Sequence, residues 1–151
     1  MARTTPLTAT RPAAPLAPAA APRVLIVDDD HDSAAALAAM LVRAGHDIVT
    51  SHEGRGVPAM VQAHRPDAVL LDIGLPDLDG FKVCRLVREL PEGRDVLMIA
   101  VTGWNRSPDR VLAEAAGFDA HVGKPVEPAD VVALLDRLLQ ARESGRPAPT
   151  P

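Results

Sequence analysis

The stretch that most limits what this chain can become is Val69-Leu70-Leu71-Asp72-Ile73-Gly74-Leu75-Pro76-Asp77-Leu78-Asp79-Gly80. An apolar run ends in a single carboxylate, and a turn-rich segment follows at once. No polar residue interrupts Val69 to Leu71, so the run reads as a strand buried on both faces. Pro76 and Gly80 turn the chain and release it into the next helix. Asp72 is thereby placed at the C-terminal end of a central strand, where open α/β sheets carry their reactive groups. Taken alone, such an Asp is more often an ordinary cap or turn residue. The rest of the chain shifts that balance.

On either side of this stretch, strands and helices alternate. Val24 to Val27 is a short apolar strand, and Ser33 to Arg43 an Ala- and Leu-rich helix stopped by Gly45. Asp47 to Ser51 alternates loosely, as an edge strand does, and Val57 to His64 forms a short helix that tolerates Pro58 in its first turn. Phe81 to Leu90 is helical, and Val96 to Val101 is a strongly apolar strand. Ser107-Pro108 caps a helix running to Ala116, with Gly117 after it. Ala120 to Val122 and Ala129 to Gln140 supply the last strand and helix. Five βα units in series predict an α/β, doubly wound, five-stranded parallel sheet with right-handed crossovers.

Both ends read differently. Residues 1–22 contain five prolines and no acidic residue, and form a predicted disordered leader; the prolines also break up any secretory apolar core. Residues 142–151 form a second polar, proline-bearing tail. Between them, residues 23–141 form one domain with 12 basic and 19 acidic residues, a net charge of −7. That balance lacks the electrostatic footprint of a nucleic-acid binder. No apolar run approaches membrane-spanning length, so a cytoplasmic protein is expected, acting through this one domain without an output module. Aromatic residues make up only 2%, so the core must be built from Ala, Val, Leu and Ile. Cys84, the single cysteine, falls in a helical stretch as a small buried residue.

The polar residues at the strand ends then fall on one edge of the sheet. The first strand leads into Asp28-Asp29-Asp30, the third ends in Asp72, the fourth in Thr102, and the fifth leads to Lys124-Pro125. Carboxylates gathered at one edge repel one another, and a hard divalent cation relieves that cost. Mg2+ suits the role, because it binds a few carboxylates and keeps positions for water and phosphate oxygens. A lysine and a hydroxyl beside such a site suit a phosphoryl group. Lys124 stands out because the chain has 14 Arg and only two Lys.

This set of residues resembles the receiver domain of two-component response regulators (the CheY-like type). The resemblance rests on Val27-Asp28-Asp29, Leu70 to Pro76, Asp79-Gly80, Val101-Thr102-Gly103 and Lys124-Pro125, and covers about residues 23–140. It implies a flavodoxin-like (βα)5 fold with strand order 2-1-3-4-5. Position by position, it implies that Asp72 is the phosphoacceptor, that Asp29 ligates Mg2+ directly and Asp28 mainly through water, and that the carbonyl of Gly74 adds a ligand. Thr102 would hydrogen-bond one phosphoryl oxygen and Lys124 pair with another, with Lys124-Pro125 in the cis form. The implied donor is a phosphohistidine on a sensor histidine kinase or a histidine phosphotransfer protein, and the readout is altered binding of a downstream protein or onward relay. Such a protein is not an enzyme in the usual sense, since it catalyses only its own phosphorylation and dephosphorylation. A monomer or weak dimer is expected.

Two positions depart from the family pattern. Where relatives place an aromatic residue that moves inward with the threonine, this chain has His121, which is either a pH-sensitive substitute in that switch or a passive surface residue. Trp104 follows Thr102 by two positions and either shields the acyl phosphate or contacts a partner. Gly103 fits the demand for a small residue that leaves the site accessible. Asp30, His31 and Asp32 read as caps of the first helix. They do not form a calcium loop, because Ala39 stands where a bidentate Glu is required. His46, His52 and His64 lack metal-ligand spacing and read as solvated. The Ala34 to Ala39 run either offers a smooth face to a helical partner or packs on the sheet. Two other function classes remain open: a receiver-like protein-binding module that works without phosphorylation, and an Mg2+-dependent phosphatase with Asp28 as nucleophile and Asp30 behind it.

Overall fold

The computed structural model describes residues 21–103 and 107–143. The leader up to residue 20, Trp104, and the tail from residue 144 lie outside the described residues. Five parallel strands form one sheet: β1 (Arg23–Val27), β2 (Asp47–Ser51), β3 (Ala68–Asp72), β4 (Leu97–Thr102) and β5 (Ala120–Gly123), in the order β2-β1-β3-β4-β5. Helices α1 (His31–Arg43), α2 (Val57–His64), α3 (Gly80–Arg88), α4 (Ser107–Ala116) and α5 (Pro128–Glu143) connect or follow them. The doubly wound architecture and its strand order agree with the reading of the sequence.

The differences are local. Helix α1 begins at His31 rather than Ser33, because Asp30 is its N-cap and accepts from the N–H groups of Asp32 and Ser33. Helix α3 ends at Arg88 rather than Leu90, where Pro91 opens a short 3-10 turn. Helix α5 runs from Pro128 to Glu143 rather than from Ala129 to Gln140. Gly45 and Gly117 follow α1 and α4 with φ of 98° and 108°, left-handed conformations in which glycine carries no Cβ penalty.

Strand β3 is buried at every residue, as its unbroken apolar run requires. Successive strand residues feed two cores on opposite faces of the sheet. Leu25, Val27, Val69 and Leu71 pack with α2 and α3 residues such as Val61, Val83 and Val87. Val24, Ile26, Ala68 and Leu70 pack with Leu37 and Leu41 of α1 and with Val131 and Leu135 of α5. In the alanine run, Ala34 is buried on this second core while Ala35, Ala36 and Ala39 are exposed. Cys84 is fully buried in the first core, and burial pushes its thiol pKa up to about 12.

Loops are tied at both ends of the sheet. Below β4 and β5, the Arg88 guanidinium donates to the carbonyls of Gly93, Val96 and Gly117, and to Asp119 Oδ2 at 2.8 Å. At the opposite edge, Gly80 opens α3 directly against the residues that follow β3. A Cβ on Gly80 would lie 2.6 Å from Ile73 Cα and 3.1 Å from the Asp72 carbonyl oxygen. Gly80→Ala is therefore expected to destabilise the protein by about 1–3 kcal/mol, read as a lower urea midpoint with an unchanged m-value.

Candidate functional site

Parallel pairing carries the strand-end residues to a common edge. The register aligns Val27 of β1 with Leu71 of β3, Asp72 with Val101 of β4, and Thr102 with Gly123 of β5. Asp28 and Asp29 follow β1, Lys124 follows β5, and Asp72 and Thr102 end their own strands. One carboxylate oxygen each from Asp28, Asp29 and Asp72 lies within 4.8 Å of the others. Asp28, Asp72 and Thr102 are buried, whereas Asp29 faces solvent.

Hydrogen bonds hold this edge in shape. Gly74 N–H donates to Asp72 Oδ1 at 2.9 Å, and Lys124 Nζ donates to Asp72 Oδ2 at 3.1 Å. The backbone N–H of Lys124 donates to the Thr102 carbonyl at 2.8 Å, and the Lys124-Pro125 peptide is cis. Asp28 Oδ1 accepts from Asp30 N–H at 2.9 Å. Burial raises the Asp28 pKa, with the charges of Asp72 and Asp29 adding to it and the Asp30 N–H and the Lys124 charge opposing it. For Lys124, burial alone would lower the pKa. The hydrogen bond and charge of Asp72, joined by the charges of Asp28 and Asp29, outweigh burial and raise it.

A small, hard cation fits such a donor set: three convergent oxygens, one on an acid that burial disfavours as an anion, with a single ammonium beside them. Asp28, Asp29, Asp72 and the carbonyl of Gly74 are the groups available to hold it. A Cβ at Gly74 would meet only Asp72 Oδ1, at 3.6 Å, so this position does not require glycine for space. A Cβ at Gly103 would meet nothing within 4 Å, so packing does not account for glycine there either. His121 is half-buried on β5 and lines a small pocket of about 70 Å3 with Phe118 and Asp119.

Two histidines correct the reading of the sequence. His46 is buried rather than solvated, with Nε2 3.6 Å from Asp136 Oδ1 of α5 and no hydrogen bond to either ring nitrogen. The turn after α1 brings it beneath α5, a placement that depends on tertiary packing. His52 is half-buried at the site's border; its Nδ1 lies 3.0 Å from the Asp28 carbonyl, and its ring stacks on His31 with centroids 3.6 Å apart. His64 remains half-exposed, its carbonyl taken by Arg23.

Asp77 has a structural role that nothing in the sequence signals. Its carboxylate accepts from Gly54 N–H at 2.9 Å and Arg55 N–H at 3.0 Å, across from the β3–α3 loop. The Gly54 N–H, helped by that of Arg55, lowers its pKa. The folded state thus holds the Asp77 proton less tightly than the unfolded chain does. Its contribution to stability is present above roughly pH 4 and is lost as pH falls through the lower folded value. The stability difference between wild type and Asp77→Asn, measured by urea unfolding at stepped pH, is expected to shrink over that range.

A doubly wound parallel domain with an acidic cluster and a lysine at the carboxyl edge of its sheet has the architecture of a phosphotransfer signalling domain. The chain belongs to the response regulator receiver domain family, whose model matches residues 24–136. It is 31% identical over 126 residues to PhoP, the alkaline phosphatase synthesis transcriptional regulatory protein of Bacillus subtilis, across 83% of this chain and 52% of that protein. The chain thus spans about half the length of that transcriptional regulator. The CheY-like receiver domain protein of Methanospirillum hungatei superposes with a TM-score of 0.76 at 28% identity, covering 83% of this chain and 98% of the other. The receiver domain of the Pseudomonas aeruginosa sensor histidine kinase PA1611, whose crystal structure has a magnesium ion coordinated in the active-site cleft, gives 0.72 at 30% identity over 78% and 97%. Receiver domains of this family take phosphoryl groups from histidine kinases and bind Mg2+ at an acidic site. Among the described residues, no helix is long and apolar enough to cross a membrane.

Proposed function

We propose that this chain is a response regulator whose receiver domain accepts a phosphoryl group on Asp72 from the phosphohistidine of a sensor histidine kinase or a histidine phosphotransfer protein. The observation that carries this reading is the meeting of Asp28, Asp29 and Asp72 within 4.8 Å, with Lys124 Nζ bonded to the acceptor carboxylate at 3.1 Å. Bound Mg2+, held by Asp28, Asp29, Asp72 and the Gly74 carbonyl, would supply charge neutralisation for the phosphoryl oxygens.

The chain's own groups do the positioning. Gly74 N–H fixes one oxygen of Asp72, which leaves the carboxylate orientation set before the donor arrives. A carboxylate oxygen of Asp72 forms the new P–O bond while the P–N bond to the donor imidazole breaks, and that electron pair stays on the imidazole nitrogen. Lys124 transfers its hydrogen bond from Asp72 to a phosphoryl oxygen, and the Thr102 hydroxyl donates to another. Attack of water on phosphorus returns the Asp72 carboxylate and releases inorganic phosphate, so the domain catalyses only its own phosphorylation and dephosphorylation. The signal passes through Thr102 and the β5 surface that bears His121, and the small Gly103 leaves the acyl phosphate accessible. Output is altered binding of a protein target or relay to a further histidine, by a monomeric or weakly dimeric cytoplasmic protein.

Intact mass after incubation with acetyl phosphate tests this. One phosphoryl adduct that forms with Mg2+ and is absent in EDTA is the expected result. A folded protein with no adduct under either condition would leave a protein-binding module that works without phosphorylation.

A further inference from the structure

The loop between β2 and α2 contributes no carboxylate to the acidic cluster, yet it grips both segments that do. On one side, Asp28 N–H donates to the Ser51 carbonyl at 3.0 Å, and His52 Nδ1 lies 3.0 Å from the Asp28 carbonyl. A carbonyl only accepts, so Nδ1 carries the proton in this contact. His31, stacked on His52 at 3.6 Å and 11°, restrains the ring. On the other side, the N–H groups of Gly54 and Arg55 both donate to Asp77, three residues beyond Gly74 on the loop that follows Asp72. The fit is close: a Cβ at Gly54 would lie 3.0 Å from Val83 Cγ2 and 3.1 Å from Leu75 Cδ1.

We infer that His52 and Asp77 are positioning residues that, through the β2–α2 loop, set the separation between the Asp28–Asp29 and Asp72–Gly74 halves of the Mg2+ site. The inference rests on the Mg2+-dependent reading of that site. The physical reason is geometric. Mg2+ requires near-octahedral oxygens at 2.0–2.1 Å, so two ligand-bearing loops that drift apart by a fraction of an ångström lose it. Ca2+ accepts longer and more irregular coordination. A clamp that sets spacing therefore governs Mg2+ affinity more than Ca2+ affinity, whereas a clamp that merely stabilises the fold affects both alike. Outer-shell partners of metal ligands typically change affinity by about 10- to 100-fold when removed.

Isothermal titration of the full chain with MgCl2 and with CaCl2, with urea unfolding of each metal-free variant, tests this. His52→Ala and Asp77→Ala are each expected to raise the Mg2+ Kd by roughly 10-fold while raising the Ca2+ Kd by less than about 3-fold. His52→Asn, whose amide nitrogen can stand where Nδ1 stands, is expected to stay within about 3-fold of wild type for Mg2+. Unchanged Mg2+ affinity in both alanine variants overturns the inference. So does an equal loss of Mg2+ and Ca2+, or a His52→Asn variant as weak as His52→Ala. Wild type that binds no Mg2+ removes the metal reading itself, a result distinct from each of these.

Discussion

Asp72→Asn is expected to abolish the phosphoryl adduct formed with acetyl phosphate and Mg2+, a loss of at least ~10³-fold in labelling rate, with the protein still folded. The amide keeps the shape of the side chain and can still accept from Gly74 N–H, so the β3–α3 loop has no reason to rearrange. What disappears is the anionic oxygen that must form the P–O bond. Asp28 and Asp29 are close enough to raise the question of a substitute acceptor. However, Asp28 is engaged by the Asp30 N–H and its pKa is raised by burial, while Asp29 is exposed to solvent and the Lys124 hydrogen bond goes to Asp72. Intact mass of wild type and variant side by side decides the matter. An adduct that survives in Asp72→Asn and vanishes in Asp28→Asn would move the chemistry to Asp28, as the phosphatase alternative requires.

Replacing Lys124 is expected to have the next largest effect. Lys124→Ala should slow phosphorylation by roughly 10²–10³-fold, the scale seen when one preorganised donor to a developing charge is removed. Lys124→Arg should recover little of that. The ammonium reaches Asp72 Oδ2 as a compact point charge at 3.1 Å, and a planar, longer guanidinium presents its donors in a different geometry. The chain's composition sharpens the test, because it uses Arg for 14 of its 16 basic residues and keeps Lys at this position. Initial rates of adduct formation for the two variants would check both statements. An Arg variant as fast as wild type would mean that charge alone is needed.

Much of the fold could be read directly from local patterns. The unbroken run at Val69–Leu71 announced a strand covered on both faces, and glycines after α1 and α4 marked helix ends that do adopt left-handed backbone. Strand ends were legible because polar residues stop apolar runs. The alternation of elements then brought Asp28, Asp72, Thr102 and Lys124 to one edge without any knowledge of distances. Boundaries slipped where a cap decided them, as at Asp30, whose side chain recruits His31 and Asp32 into the first turn. The histidines failed for a different reason. His46 and His52 look polar and isolated in the chain, and their burial arises from α5 and the β1–α1 segment, far away in sequence. Asp77 carries no sequence signal, because an Asp in a turn-rich stretch needs no special explanation. Only the facing N–H groups of Gly54 and Arg55, 23 and 22 residues away, reveal what it holds.

The central position of β3 has a kinetic consequence. Its Leu70 pairs with Ile26 on one side and Ile99 on the other, and Val101 of β4 must in turn find Val122 of β5. Every one of these contacts closes a long loop, and parallel sheets built this way fold slowly relative to hairpins and helical bundles. The residues of the site are the last paired positions of their strands, as Asp72 and Thr102 are, or follow directly after them, as Asp28, Asp29 and Lys124 do, so they converge only after the last crossover is in place. A chain emerging from synthesis holds Asp28 and Asp72 well before Lys124 exists to join them. On the proposed function, competence to accept a phosphoryl group is thus acquired late, as a property of the finished sheet and not of a chain that lacks β5.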